Sequence, residues 1–157
     1  MELGLPKRGS DEPTVIAPEI IEAYRVTDYS FDAEGRRVDF HIDERCSHVA
    51  DLIQRFGNEG ACLITAYNPL GIRVGDSDNR KAAELLLRDL ESRRLQFLPA
   101  KGEDPLESKA PEMHWAELGF MIFGLSRQEA MELGWHYKQN AIVWVDRDGF
   151  PELVLLR

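Results

Sequence analysis

The sequence predicts an α+β fold with a ferredoxin-like core, the split βαβ arrangement (βαββαβ) in which two βαβ units share one sheet. Residues 61–67 and 115–125 are apolar runs typical of buried strands. Residues 78–94 carry leucines at helical spacing, which predicts the first core helix. Ser126 and Glu129 have the spacing of a capping box, which predicts the start of the second. From the first of these strands onward, the chain is expected to run strand, helix, strand, strand, helix, strand.

The segment before this core predicts a helix and a hairpin. Pro18 suits the first turn of a helix reaching Tyr24, because the N–H that proline lacks has no partner at that position. Residues 26–31 and 37–42 are extended pieces on either side of residues 32–35, Asp-Ala-Glu-Gly, whose composition is typical of a turn. We therefore expect an N-terminal hairpin-plus-helix extension.

A further helix is expected between the hairpin and the core. Ser47 can cap its N-terminus, and the helix can run to Phe56. Gly57 follows and can supply the left-handed residue that helix ends favour.

An irregular segment divides the second half of the core. Residues 95–98 predict a short strand, and residues 100–113 are rich in Gly, Pro and charge and are expected to arch over one end of the sheet. The capped helix is expected to end near Tyr137. Strands at 140–145 and 152–156, joined by the turn sequence Asp-Arg-Asp-Gly, complete the fold with a C-terminal strand.

Composition limits the classes of protein and of partner. The 157 residues fit one domain, taken as residues 14–157 after a flexible tail at 1–13. The net charge of −9 repels phosphate backbones, so we expect no nucleic-acid partner. No apolar stretch approaches the roughly 20 residues that cross a bilayer, so we expect no membrane partner. The two cysteines, Cys46 and Cys62, lack paired-cysteine spacing and favour a cytoplasmic location.

We expect no cofactor and no metal. The histidines His41, His48 and His136 lack the i, i+4 spacing or the cysteine partners of metal sites. His114 beside Trp115 has a side chain suited to general-base chemistry, but the sequence places no nucleophile for it.

The predicted topology brings separated polar residues to one end of the sheet. The first core strand is expected to be central and antiparallel to the third and fourth, because crossovers are right-handed and the strand order is four, one, three, two. Strand ends and helix N-termini that converge in this way are common ligand sites. The expected ligand-binding residues are Thr65, Tyr67, Asn68, Asn79, Glu117, Gln139 and Asn140.

Each candidate also has a structural explanation. The Asn68 amide can bond its own backbone ahead of Pro69. Asn79 can take part in capping the helix in whose first turn it lies, and Gln139 and Asn140 can cap the preceding helix. A salt bridge would explain Glu117, a carboxylate that is costly to bury in an apolar strand unless it is paired or acts as an acid or base. The sequence leaves these alternatives open.

Several motifs together resemble a known family. They are Thr65-Ala66-Tyr67-Asn68-Pro69, Asn79, Trp115-Ala116-Glu117, the run from Gly124 to Ala130, and the run Gln139-Asn140-Ala141-Ile142-Val143-Trp144. In this combination, over roughly residues 24–154, the chain resembles the bacterial domain-of-unknown-function family numbered 3293. The resemblance implies a bacterial, cytoplasmic protein and implies no activity. Leu118-Gly119 stands where many similar proteins are expected to have a serine, and Tyr137-Lys138 where a glycine-containing run is expected.

Three functions are compatible with these residues. The leading hypothesis is a non-catalytic binding or regulatory module for a small polar molecule, because amides form hydrogen bonds but do not transfer protons at neutral pH. The second is a small enzyme in which Glu117 is the general acid or base, His114 or Tyr67 assists, and residues 100–113 close as a lid. The third is a protein-interaction module that adds a partner strand or forms a homodimer.

Overall fold

The structure, a computed structural model, describes residues 13–56, 58–105 and 114–157. Over these residues the fold is mixed α/β, with four α-helices and seven strands. The elements are α1 Pro18–Val26, β1 Asp28–Ala33, β2 Arg36–Phe40, α2 Ser47–Arg55, β3 Gly60–Thr65, α3 Asp76–Ser92, β4 Gln96–Glu103, β5 Ala116–Phe123, α4 Arg127–His136, β6 Ala141–Asp146 and β7 Pro151–Leu155. A short 3-10 turn, Pro69–Gly71, precedes α3.

The seven strands of the described residues form one sheet in the order β2-β1-β4-β5-β3-β6-β7. Every neighbouring pair is antiparallel. β3 lies between β5 and β6, so the residues that follow β3 lie next to those that precede β5 and β6. This arrangement brings the ends of three strands to one edge of the molecule.

The sheet is covered on both faces, and each face has its own core. On one face α2 packs through Val49 and Ile53 against Phe31, Met121 and neighbouring residues. On the other face α3 and α4 cover a second apolar cluster, whose buried members include Leu86, Leu90, Leu133, Ile122 and Ile142. The strands are apolar on both sides because both sides are covered.

Helix α1 covers the part of the first face that α2 does not reach. Its buried residue Ile21 packs with Ile16 and with Leu155 of β7. The Tyr29 hydroxyl donates a hydrogen bond to the carbonyl oxygen of Tyr24 in α1, at 2.9 Å. Helix α1 thus contacts β7 at one edge of the sheet and β1 next to the other edge.

The predicted capping box is confirmed. Ser126 Oγ accepts a hydrogen bond from the Glu129 N–H at 3.1 Å, and Glu129 Oε1 accepts one from the Ser126 N–H at 3.0 Å. The predicted cap of α2 is wrong, because Cys46 occupies the N-cap position, without a side-chain hydrogen bond, and Ser47 is the first helical residue. Gly57 lies outside the described residues.

The segment expected to be irregular at 100–113 is partly a strand. β4 continues to Glu103, since residues 100–103 pair with β1 on one side and with β5 on the other. These two long-range pairings override the weak strand propensity of Pro99 and Gly102. The prediction that residues 100–113 form a lid is therefore wrong for residues 100–103. Residues 106–113 lie outside the described residues, as do residues 1–12 of the expected tail.

No helix among the described residues has the length and apolar character needed to cross a bilayer.

Candidate functional site

Two asparagines connect the loop after β3 to helix α3. The Asn68 N–H donates to Asn79 Oδ1 at 2.8 Å, and Asn79 Nδ2 donates to Asn68 Oδ1 at 3.2 Å. Asn68 Oδ1 also accepts from the Val74 N–H at 3.1 Å, which closes the loop. Asn68 has a φ of 48°, in the left-handed region that asparagine tolerates better than most residues. We call Asn68 and Asn79 the amide pair.

The amide pair also holds Glu117. Asn68 Nδ2 donates to Glu117 Oε1 at 2.8 Å. No lysine or arginine of residues 13–56, 58–105 and 114–157 forms an ion pair with this carboxylate. Burial raises the pKa of Glu117 above its ordinary value, and the hydrogen bond from Asn68 offsets only part of that effect.

These contacts decide between alternatives that the sequence left open. The Asn68 side chain accepts from the Val74 backbone of its own loop, as the structural explanation expects, and it also bonds to Asn79 and Glu117. Asn79 caps no helix with its side chain, because its Oδ1 accepts from Asn68. The salt bridge that was the alternative explanation of Glu117 is not found within the described residues.

Thr65 fixes the end of β3. Its Oγ1 donates to the Leu118 carbonyl at 2.7 Å and accepts from the Tyr67 N–H at 3.0 Å. The Thr65 hydroxyl thereby joins β3 to β5 beside Glu117, so its role in the described structure is to position the strand ends.

Gln139 and Asn140 come from the other neighbour of β3. The Gln139 N–H donates to the Gly134 carbonyl at 2.9 Å, so its backbone terminates α4, and its Nε2 donates to the Tyr67 carbonyl at 3.2 Å. Asn140 Nδ2 donates to the Tyr24 hydroxyl at 3.2 Å. Asn140 Oδ1 accepts from Arg157 at 2.8 Å. Asn140 therefore links β6 to α1, which no local pattern predicts.

A cavity of about 70 Å³ lies between α1 and the sheet. We call it the inner cavity. Gly102, which stands between Tyr29 and Glu117 in one cross-strand row, lines it without a side chain. Its polar lining residues are Tyr24, Thr27, Tyr29, Thr65, Tyr67, Asn68, Glu117, Gln139 and Asn140.

A larger groove of about 450 Å³ lies outside this cavity. We call it the outer groove. Its lining includes Arg73, Asp76, Asn79 and His114. A wall common to both spaces is formed by Tyr24, Tyr67, Asn68, Gly71, Trp115 and Glu117.

The structure brings the predicted site residues together, with different roles. Thr65, Tyr67, Asn68, Glu117, Gln139 and Asn140 line the inner cavity, and Asn79 reaches it through Asn68. His114 lines the outer groove, where its Nε2 contacts the Asp104 carbonyl oxygen. The candidate catalytic side chains Glu117, Tyr67 and His114 thus all border the outer groove.

Sequence reasoning missed the residues that α1, β1 and β4 contribute. These are Tyr24, Thr27, Tyr29 and Gly102. Tyr24 carries the one local signal, a polar aromatic residue on an otherwise short amphipathic helix. No sequence pattern indicates that this helix lies near the first residues of β5, where Glu117 is located.

The chemistry open to the site depends on which polar atoms still lack partners. The amide pair is engaged in internal hydrogen bonds, and so are the Gln139 and Asn140 amides. Glu117 uses one of its two oxygens within the described residues. The group best placed to meet a ligand is therefore the Glu117 carboxylate, which the amide pair positions.

A comparison with family models gives one match over this region. The model describes a protein of unknown function (DUF3293) and matches residues 64–142, half of the chain. The chain belongs to this family. Comparisons with curated proteins and with solved structures gave no match.

The family model covers only part of the site of this DUF3293 protein. The amide pair, Glu117 and the start of β6 lie inside residues 64–142. The segment of α1 and β1, which contributes Tyr24, Thr27 and Tyr29 to the lining of the inner cavity, comes before them. The family segment thus supplies the positioned carboxylate, and the preceding extension supplies part of the enclosure.

Replacing Glu117 by glutamine is expected to stabilise the DUF3293 protein at neutral pH. The raised pKa means that the folded state binds the Glu117 proton more tightly than the unfolded state does. The stability that the protonated Glu117 carboxyl contributes is fully present below its pKa in the unfolded state. It is lost as the pH rises through its higher pKa in the folded state. Glutamine keeps the bond to Asn68 and has no charge to desolvate.

Thermal unfolding at about pH 4 and about pH 8 measures this effect. At the higher pH the Glu117→Gln variant is expected to melt above the wild type, and each 1 kcal/mol of difference corresponds to about 2–4 °C at this length. At the lower pH the difference should shrink. The exposed Glu59→Gln variant, which removes the same charge, should show neither change. An equal difference at both pH values would contradict the role of burial.

Proposed function

We propose that this protein is a non-catalytic binding or regulatory module that holds a small polar molecule at Glu117. The observation that supports the proposal most directly is the arrangement of this carboxylate. It is largely enclosed, fixed by Asn68 at 2.8 Å, and has no ion-pair partner in the described residues. A desolvated carboxylate of this kind is costly, and such groups are commonly retained for function.

The two spaces suit a molecule with a small polar end and a larger remainder. The inner cavity, at about 70 Å³, admits several groups of water size, because about 10–15 Å³ of such volume holds one water. The outer groove, at about 450 Å³, has the size of common ligand pockets. A ligand seated at the common wall contacts Glu117 with its polar end and the groove with the rest.

The amides favour recognition over reaction. Amide groups neither donate nor accept protons in catalysis at neutral pH, and those of Asn68, Asn79, Gln139 and Asn140 make up much of the polar lining. Their hydrogen bonds to one another and to the backbone hold the carboxylate in one place. Such preorganisation raises affinity without requiring a chemical step.

A thermal-shift screen of small polar metabolites tests the proposal, using wild type, Glu117→Gln and Glu59→Gln. At least one compound is expected to stabilise the wild type and the Glu59→Gln control equally, and to bind Glu117→Gln at least about tenfold more weakly. Isothermal titration of the positive compounds gives the affinities. If every positive compound binds Glu117→Gln as tightly as it binds the wild type, the site is not at Glu117.

One observation favours an enzyme as the second candidate. Burial raises the pKa of Glu117, as general acids and bases require, and His114 and Tyr67 border the same groove. Mass spectrometry of each positive compound after incubation with the protein separates the candidates. A product formed by the wild type and lost in Glu117→Gln supports the enzyme, and unchanged compounds support the binding module.

We also infer that the core of the fold is ferredoxin-like. The succession of β3, α3, β4, β5, α4 and β6 supports a ferredoxin-like core, with α1, β1, β2, α2 and β7 as additions. The family resemblance supports a bacterial origin. The two free cysteines, Cys46 and Cys62, are compatible with the expected cytoplasmic location.

A further inference from the structure

We propose that the molecule held at Glu117 is a small organic cation, an alkylammonium or guanidinium. Its charged end contacts the carboxylate and the aromatic side chains of Tyr24, Tyr67 and Trp115, and its stem extends into the outer groove. The inference rests on the proposed function and specifies the ligand of the same site.

Glu117 has no cationic partner among the described residues. A largely enclosed carboxylate normally has one, because desolvation is offset only by a nearby opposite charge and hydrogen bonds. Within the described residues, its hydrogen-bond donor is the neutral amide of Asn68. A ligand cation supplies the charge that these parts of the chain do not supply, and one carboxylate oxygen remains for it.

Aromatic side chains form part of the wall that contains Glu117. Tyr24 from α1, Tyr67 after β3 and Trp115 before β5 line both the inner cavity and the outer groove, together with Glu117. Faces of tyrosine and tryptophan attract ammonium and guanidinium groups, by about 0.5–2 kcal/mol depending on desolvation. Three aromatic residues around one carboxylate form the type of surface that recognises organic cations.

The charge of the chain and of the cavity lining favours a cation over an anion. The whole chain carries a net charge of −9, which raises the local concentration of cations and disfavours anions. Arg73 and Asp76 line the outer groove with opposite charges, and His114 lies on the same groove. An anion in the inner cavity would lie beside Glu117 with no lysine or arginine among its described lining residues.

Three matched probes test the inference: butylammonium, butanol and butanoate. The reporter is the side-chain NH₂ resonance of Asn68 in a ¹H–¹⁵N spectrum, because this group donates to Glu117. Butylammonium is expected to shift it in a saturable way and to bind at least about tenfold tighter than butanol. Butanoate should leave it unchanged. Added salt should weaken the binding of butylammonium.

Matched variants keep the test specific. Glu59→Gln should bind butylammonium as the wild type does, and Glu117→Gln should lose at least about tenfold in affinity. Tyr67→Leu removes one aromatic face and should weaken butylammonium more than butanol. The inference is overturned if butylammonium leaves the Asn68 resonance unchanged, or if butanol or butanoate binds as tightly.

The failure of this inference can be distinguished from failure of the proposed function. If neutral polar compounds from the screen bind in a Glu117-dependent way and butylammonium does not, the cation assignment is wrong and the binding module stands. If no compound depends on Glu117, the binding module itself is wrong.

Discussion

Replacing Asn79 by leucine is expected to destabilise the protein by about 2–4 kcal/mol. Asn79 is 6% exposed and both accepts from and donates to Asn68. Leucine leaves the Asn68 N–H without its acceptor and removes one of the two donors to Asn68 Oδ1. Leucine is a better helix former than asparagine. If Asn79 served only the helix, the substitution would therefore cause no loss of stability.

Urea unfolding of Asn79→Leu measures this cost, with Ser77→Leu as the control. Ser77 is an exposed polar residue in the same first turn of α3, so its replacement tests leucine in the helix without touching the amide pair. The control is expected to stay within about 0.5 kcal/mol of the wild type. Equal losses in the two variants would show that the helix turn, and not the contact with Asn68, determines the effect.

Replacing Gly119 by alanine is expected to cost at least about 3 kcal/mol or to prevent soluble expression. A Cβ atom at this position would overlap the carbonyl oxygen of Ile64 and lie 3.0 Å from the Thr65 Cα atom. Both neighbours are backbone atoms of β3, so the strands β3 and β5 must separate. The same pairing sets Thr65 opposite Gly119, two residues from Glu117, so the geometry of the site should be lost with it.

Gly102→Ala in the adjacent strand is the matched control. A Cβ atom there meets only side-chain atoms, at 3.2 Å from Thr27 Cγ2 and 3.3 Å from Tyr29 Cε1, which can move. The loss in stability should be well below that of Gly119→Ala, while the inner cavity becomes smaller. Soluble yield, circular dichroism and thermal unfolding compare the two variants. A fully stable Gly119→Ala protein would mean that β3 and β5 pair differently from the described register.

Local chemistry explains which parts of the fold were predictable. The reciprocal bonds of Ser126 and Glu129 involve residues three apart, so their spacing was sufficient to predict where α4 begins. The apolar run of β3 likewise reflects burial on both faces. At Cys46 the same kind of reasoning failed, because the start of α2 is set by the Cys46 N–H bonding to the Gly149 carbonyl, a contact distant in sequence.

The site was predictable in its membership and less so in its roles. The order of elements indicated that the loop after β3, the start of α3 and the start of β5 would meet. It could not indicate that the Asn68 and Asn79 amides would bond to each other, because that depends on side-chain geometry across the gap. The contribution of Tyr24 depends on the docking of α1 against β7, which involves residues more than a hundred positions away.

The loop that follows β3 has a consequence for the rate of ligand entry. Asn68 and Leu70 both have positive φ values, and the Leu70 N–H donates to the Lys138 carbonyl at 2.7 Å, which ties the loop to the end of α4. Asn68 is also hydrogen-bonded to Val74 and Asn79. The loop is therefore already ordered, and ligand binding would restrict few further conformations of it. For the proposed ligand, we therefore expect association to be limited by diffusion and desolvation of the incoming molecule, and selectivity between similar molecules to come from how long each one stays bound.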